Sequence, residues 1–275
     1  MTPTAFAQSL PERLTAYLNT LPPAARVSIA VESLGMPSAG AGPTIDSVAF
    51  FQNADVLVPS ASVIKLPILI EAMTRIQAGT LDPDEIHILV DSEKAGGSGT
   101  LRTYQHRSRI PYRDLLAAMM IQSDNTATNI FITELSLEAI NRRMQTLGLT
   151  KSRLNRPMMD TLAAKQGREN VVTAREMNDL LKKMYYREIV TPALCDQILD
   201  LLKRNEDTLT IPRDLPPGTI VAHKTGELPY VRADAGIIYA RKPFVLSVLV
   251  EGLPTPDAER IIGRLARLCF DYFQR

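Results

Sequence analysis

Three short motifs, in order along a 275-residue chain, hold side chains that together can make and break acyl bonds. The first is Ser62-Val63-Ile64-Lys65. A spacing of three puts the serine and the lysine on one helix face. Ser62 falls in the first turn of a helical run, where free backbone N–H groups and the helix dipole favour a developing oxyanion. A serine hydroxyl is a weak nucleophile until a base takes its proton. A lysine is such a base once desolvation or a nearby cation lowers its pKa. Pro67 removes one helical hydrogen bond and predicts a kink in this turn. The second motif is Ser123-Asp124-Asn125, between two helical runs. A break there aims short polar side chains into a cleft, where Ser123 can relay a proton and Asn125 can bond a substrate amide. The third is Lys224-Thr225-Gly226, ending an apolar strand. Its glycine lets a ligand approach the backbone, and its lysine and threonine offer a charge and a hydroxyl to a carboxylate. Each motif alone has a plainer reading: a chance helical spacing, a helix–turn–helix corner capped by Asp124, and a strand end with a solvated lysine. All three in this order are far harder to obtain by chance.

The elements that must position these groups are legible from periodicity and caps. A helix is expected over 11–21, then strand-like runs at 26–34 and 45–58, the second with an internal break, joined by a Gly/Pro-containing loop at 35–43. The middle is helical. Residues 61–78 are apolar at helical spacing and stop at Gly79. Residues 112–121 follow Pro111, Asp124 caps 126–135, and Ser136 caps 137–147. Thr173 and Glu176 form a capping box for a helix to 186, and Thr191-Pro192 opens 193–204. Strands return at 219–224, 235–240 and 244–251, followed by a helix over 257–274. Short connections favour antiparallel pairing within each strand group. The simplest assembly is one five-stranded sheet covered by the terminal helices, with the helical block as a second lobe and a cleft between them.

Composition narrows the function classes. Apolar residues make up 45% and charged residues 22% of the chain, as in ordinary globular proteins. A net charge of +1 leaves no basic excess for phosphates, so no nucleic-acid partner is expected. No apolar run reaches membrane-spanning length. The three histidines, His87, His106 and His223, make no metal-ligand pattern, and neither metal nor cofactor is expected. Cys195 and Cys269 read as two buried free thiols. No intact signal peptide is legible, but Ala5-Phe6-Ala7 before Gln8 has the small-x-small form of a cleavage site; a chance match in an Ala-rich start is the equal alternative.

The Ser-x-x-Lys, Ser-Asp-Asn and Lys-Thr-Gly set is that of class A β-lactamases and penicillin-binding proteins, and from about residue 27 onwards the chain resembles the class A serine β-lactamases. The resemblance implies an α/β (α+β) two-lobe fold: a five-stranded antiparallel sheet flanked by helices, plus an all-α lobe. The whole of 1–275 is then one domain, with the α/β lobe at about 8–60 and 212–275 and the all-α lobe at about 61–211. It implies Ser62 as the acylated nucleophile, Lys65 as its activating base and Ser123 as the proton donor to the leaving nitrogen. Asn125 positions Lys65 and binds the substrate's side-chain amide. Lys224, Thr225 and Gly226 form the carboxylate subsite, and the backbone N–H groups of Ser62 and Glu227 form the oxyanion hole. Ala95-Gly96-Gly97-Ser98-Gly99 resembles the loop at the lip of the family's cleft, with Ser98 touching substrate or simply lying on a surface loop. Tyr104 lines that lip or packs. Arg213 and Arg232 are candidates for carboxylate binding, because the family's arginine on the strand after Lys-Thr-Gly falls at Ala235. Glu71 and Asp114 read as solvated helix-face charges. The implied partner is a small β-lactam or peptidoglycan-like molecule. A monomer in the periplasm or outside the cell is expected, where such compounds are met.

One stretch departs from the pattern. In the resembled family, a loop closed by an arginine–acid pair supplies the glutamate that activates the deacylating water. Arg156 and the Glu169-Asn170 end match the closure, but the glutamate position falls on Met158 and the loop's usual asparagine on Leu162. Asp160 is the only carboxylate between Asn155 and Gly167. Three expectations follow: Asp160 swings in as the general base; Lys65 or another group activates water slowly; or deacylation is negligible. The chain is then a β-lactam hydrolase with unusual deacylation, a penicillin-binding serine peptidase or esterase, or a sensor that stops at the acyl-enzyme.

Overall fold

A computed structural model describes residues 8–35 and 48–275. The Ala5-Phe6-Ala7 tripeptide, most of the 35–43 connection and the start of the 45–58 run lie outside those residues. Helix α1 (Leu10–Leu18) is opened by Ser9 and Glu12 in a reciprocal capping box. Strands β1 (Arg26–Ser33) and β2 (Ala49–Gln52) follow. The middle of the chain holds β3 (Val58–Pro59), a 3-10 turn (Ala61–Ile64), α2 (Lys65–Gln77), β4 (Ile86–Ile88), β5 (Arg109–Pro111), α3 (Tyr112–Ile121), α4 (Asn125–Leu135), α5 (Leu137–Thr146), α6 (Thr161–Lys165), β6 (Val171–Val172), α7 (Ala174–Tyr185) and α8 (Pro192–Lys203). Strands β7 (Val221–Leu228), β8 (Val231–Ile238) and β9 (Phe244–Glu251) and helix α9 (Thr255–Phe273) complete it.

The five long strands form one antiparallel sheet in the order β2-β1-β9-β8-β7. Its alternation sorts side chains between two cores. Ile29, Val31, Leu246 and Val248 pack with α1 and α9, where Phe244 stacks on Phe273 at 4.6 Å between ring centroids. Ala30, Val245, Leu249, Ala233 and Ala235 face the helical block and its large cluster around Leu69, Phe131 and Leu180; that block is not all-α as expected, since it also carries the β4-β5 and β3-β6 ladders. Each buried valine, leucine, isoleucine or phenylalanine among these contributes about 1.5–3 kcal/mol. Cys195 and Cys269 are buried and unbonded, one in each core. No helix among the described residues is long and apolar enough to cross a membrane.

Three local expectations are corrected. The 61–78 run is not one α-helix: its first turn is 3-10, and α2 starts at Lys65. Strand β7 runs on through Lys-Thr-Gly to Leu228, because the ladder with β8 pairs Lys224 with Ala235 and Gly226 with Ala233, and such pairing overrides the turn-forming character of those residues. Glu71 is not solvated. It is 5% exposed and bridges Arg75 and Arg143, each at 2.9 Å, tying α2 to α5; a carboxylate is buried only when it is paired in this way. Asp114 is exposed.

Candidate active site

Ser62 lies in the 3-10 turn, between β3 and α2. The turn is held from two sides. The Ser60 N–H donates to the Asn170 carbonyl at 2.8 Å, and β7 passes so close that a Cβ at Gly226 would lie 2.9 Å from Ala61 Cβ and 3.1 Å from Ser62 N. Only glycine permits that approach, which sets the Ser62 N–H beside the strand that continues into Glu227. Ala61 has φ +45°, the left-handed region that costs a residue with a Cβ about 1 kcal/mol or more.

Lys65, three residues after Ser62, is fully buried. Its Nζ donates to the Ser123 carbonyl at 2.6 Å, to Ser123 Oγ at 3.1 Å and to Asn125 Oδ1 at 3.0 Å, so all three ammonium hydrogens have acceptors. Burial, and then the Lys224 charge, pull the Lys65 pKa well below its usual 10.5, against an opposing pull from Asp124. Lys224 is buried too, with Nζ 3.1 Å from Ser123 Oγ and 2.9 Å from the Thr225 carbonyl. Burial brings its pKa down to about 8; Asp234 and Asp207 oppose the shift and Arg232 adds to it. Ser123 Oγ therefore accepts from both lysines, filling its lone pairs and leaving its own O–H free to donate. A cavity of about 370 Å³ opens in front, lined by Ser62, Ser98, Ser123, Thr225, Gly226 and Glu227 among others.

The 95–101 loop is docked rather than loose. Asp124, beyond capping α4, accepts the Leu101 N–H at 2.8 Å; Asn125 N donates to the Ser98 carbonyl at 3.1 Å and Asn125 Nδ2 to the Gly96 carbonyl at 2.9 Å. Ser98 thus sits at the mouth of the cavity. Beside it, Arg156 closes its loop onto Glu169 at 2.6 Å, and Asn170 Oδ1 accepts the Asn155 and Arg156 N–H groups. At Met158, Asn129 clamps the backbone twice: its Oδ1 accepts the Met158 N–H at 2.7 Å, and its Nδ2 donates to the Met158 carbonyl at 3.1 Å.

These elements are also what a family comparison matches: residues 12–273 fit the group described as the beta-lactamase enzyme family. The chain belongs to that family. No curated protein sequence matches it. Among solved structures, this beta-lactamase family member is similar to a beta-lactamase from Sphaerobacter thermophilus DSM 20745, with 26% identity, TM-score 0.82 and 94% of each chain covered. It is similar to PBP-A at 24% identity, TM-score 0.85 and 96% of each chain. It is also similar to the TLA-1 extended spectrum beta-lactamase at 22% identity and TM-score 0.85, covering 97% of this chain and 98% of the other.

Within this family member, two expected participants stand elsewhere. Asp160 is the N-cap of α6: its Oδ1 accepts the Ala163 N–H at 2.9 Å, and it does not line the cavity. The tight turn at Met159, with φ +66°, brings the Met159 thioether, and not the carboxylate, towards Gly97. Asp160→Asn is therefore expected to leave turnover and acyl-adduct lifetime unchanged, since asparagine caps as well as aspartate. Asp160→Ala is expected to cost about 1 kcal/mol in a denaturation curve. Arg213 pairs with its neighbour Asp214 and packs on Gly263, away from the cavity. Arg232 does line the cavity, and Tyr104 is exposed with its carbonyl accepting from Lys94. Asn129 and Asp207 belong to none of the three sequence motifs. Asn129 was detectable as one turn past Asn125 on the same face of α4; Asp207 lies in an irregular segment with no such signal.

Proposed function

We propose that the protein is a serine hydrolase of the β-lactamase kind that opens β-lactam amides through a Ser62 acyl-enzyme and releases the acyl group slowly. The observation that carries this reading is Ser123 Oγ held between the two buried ammonium groups of Lys65 and Lys224, with Ser62 at the same cavity. Lys65, made acidic by burial, loses its proton and takes the one on Ser62. Ser62 Oγ then bonds to the lactam carbonyl carbon. The backbone N–H groups of Ser62 and Glu227 receive the oxyanion, a pair of donors worth several kcal/mol of barrier. The C–N bond breaks, and Ser123 hands its proton to the departing nitrogen while taking one from Lys65. Asn125 orients Lys65, and Ser98 and Thr225 border the substrate.

The loop that carries the deacylating base in the resembled family offers none at that place here, because Met158 stands at the glutamate position and Asp160 caps a helix. That favours a long-lived adduct, as in a penicillin-binding peptidase, an esterase or a sensor. Intact-mass spectrometry after addition of a penicillin separates these readings. A lasting adduct on the wild-type chain, absent from Ser62→Ala, is the expected result. Substrate loss without an adduct points to fast hydrolysis, and an adduct on Ser62→Ala would overturn the assignment of the nucleophile.

A further inference from the structure

The cavity does not end at the reacting groups. Beyond Ser123 it continues along Ile121, Gln122 and the 205–209 segment between α8 and β7. In the proposed reaction Ser123 hands its proton to the departing nitrogen, so this extension lies on the leaving-group side of the bond that breaks. The 205–209 segment is neither helix nor strand, yet side chains pin it step by step. Asn205 donates through Nδ2 to the His223 carbonyl at 3.2 Å, and its Oδ1 accepts the Asp207 N–H at 2.9 Å. Asp207 repeats the pattern: its Oδ1 accepts the Leu209 N–H at 3.2 Å, and its Oδ2 accepts from Arg232 Nη2 at 2.7 Å. The Glu206 N–H donates to the Ile121 carbonyl at 3.1 Å, which ties the segment to the end of α3. Asn and Asp side chains that bond the backbone two residues on hold a turn in place.

What this clamp presents is Leu209, an aliphatic side chain left 53% exposed at the cavity. Ile121 lies half-buried on the same cavity, so two aliphatic groups border it beyond Ser123. A leucine exposed on a loose loop is ordinary. One fixed by two successive side-chain turns at a cavity is preorganised apolar surface, and a ligand that covers it pays little to order the segment. Ser98, at the mouth, is small and leaves room for a bulky group. The Lys-Thr-Gly strand keeps its place as the carboxylate subsite, and the apolar groups stand apart from it, on α3 and the 205–209 segment. We propose that Leu209, together with Ile121, forms a leaving-group subsite that selects acyl donors whose departing amine carries an apolar alkyl or aryl substituent. This deepens the Ser62 acyl-enzyme reading and rests on it for the direction in which the leaving group points.

The test uses two cephalosporins with the same acyl side chain, one with a methyl and the other with a styryl group on the ring that contains the departing nitrogen. Their intrinsic reactivities differ, so the readout is the styryl-to-methyl ratio of acylation rates, followed by intact mass and compared between the wild type and variants at 209. Leu209→Ser is expected to lower that ratio by about fivefold, the scale of covering roughly half a leucine, and Leu209→Met to retain it. A ratio unchanged in Leu209→Ser, or lowered as much in Leu209→Met, overturns the proposal. Calorimetric titration of Ser62→Ala, with and without Leu209→Ser, reads the same preference before any bond is made: the styryl compound is expected to bind more tightly in the first and to lose that advantage in the second. A binding preference that depends on Leu209, with no acylation of the wild type, would sink the acyl-enzyme reading alone. Acylation with a ratio blind to Leu209 would sink the subsite alone.

Discussion

Lys65→Met is expected to slow acylation of Ser62 by about 10²–10⁴-fold, the usual loss when a positioned general base is removed. The substitution keeps an unbranched side chain of similar length in a fully buried position, so the fold should survive. The Ser123 carbonyl, Ser123 Oγ and Asn125 Oδ1 each lose a donor, at about 1–3 kcal/mol for a buried acceptor left bare, and loss of the buried charge's desolvation cost offsets part of this. A rate loss in a variant that still folds cooperatively is therefore the signature, read from adduct formation over time and a urea curve. Acylation at the wild-type rate would show that Lys65 is not the base. The wild-type pH profile supplies an independent check. The base must be neutral, and burial lowers the Lys65 pKa, so acylation rises with pH through that lowered value. Lys224 works as an ammonium, donating to Ser123 and to the ligand, and its pKa is about 8, so the rate falls as pH rises through that value. The falling limb should vanish in Lys224→Arg, whose guanidinium stays charged.

Met158→Glu is expected to shorten the lifetime of the acyl adduct by about 10²–10⁴-fold while leaving acylation near its wild-type rate. The backbone of residue 158 is already fixed through both its N–H and its carbonyl by Asn129, so the new side chain starts from a defined direction. Met158 packs partly against the large core. A glutamate there is partly desolvated, which raises its pKa towards the range of an effective base at neutral pH. Mass spectra taken after removal of excess penicillin would follow the decay. A folded Met158→Glu variant whose adduct persists as long as the wild type's would show that position 158 does not reach the deacylating water.

The helices with caps and terminal breaks were readable to within a few residues, as at α3, α7 and α8, because caps and apolar periodicity act over a single turn. The five-strand count and the antiparallel pairing followed from short connections, and the three motifs were readable because they are contiguous in the chain. What depended on distant residues was not. Strand β7 extends through a Gly-containing motif only because β8 pairs with it. Glu71 becomes a buried bridge only when α5 brings Arg143 to it. Asp160 is the only carboxylate between Asn155 and Gly167, and its Oδ1 is engaged as the cap of a five-residue helix. Asp207 gave no signal in the chain, since its meaning comes from Arg232 and Thr225 on strands folded against it. Spacing along the chain therefore named the acyl-transfer groups, whereas the surroundings that tune them were set by tertiary packing, because burial and charge pairing depend on which segments meet in space.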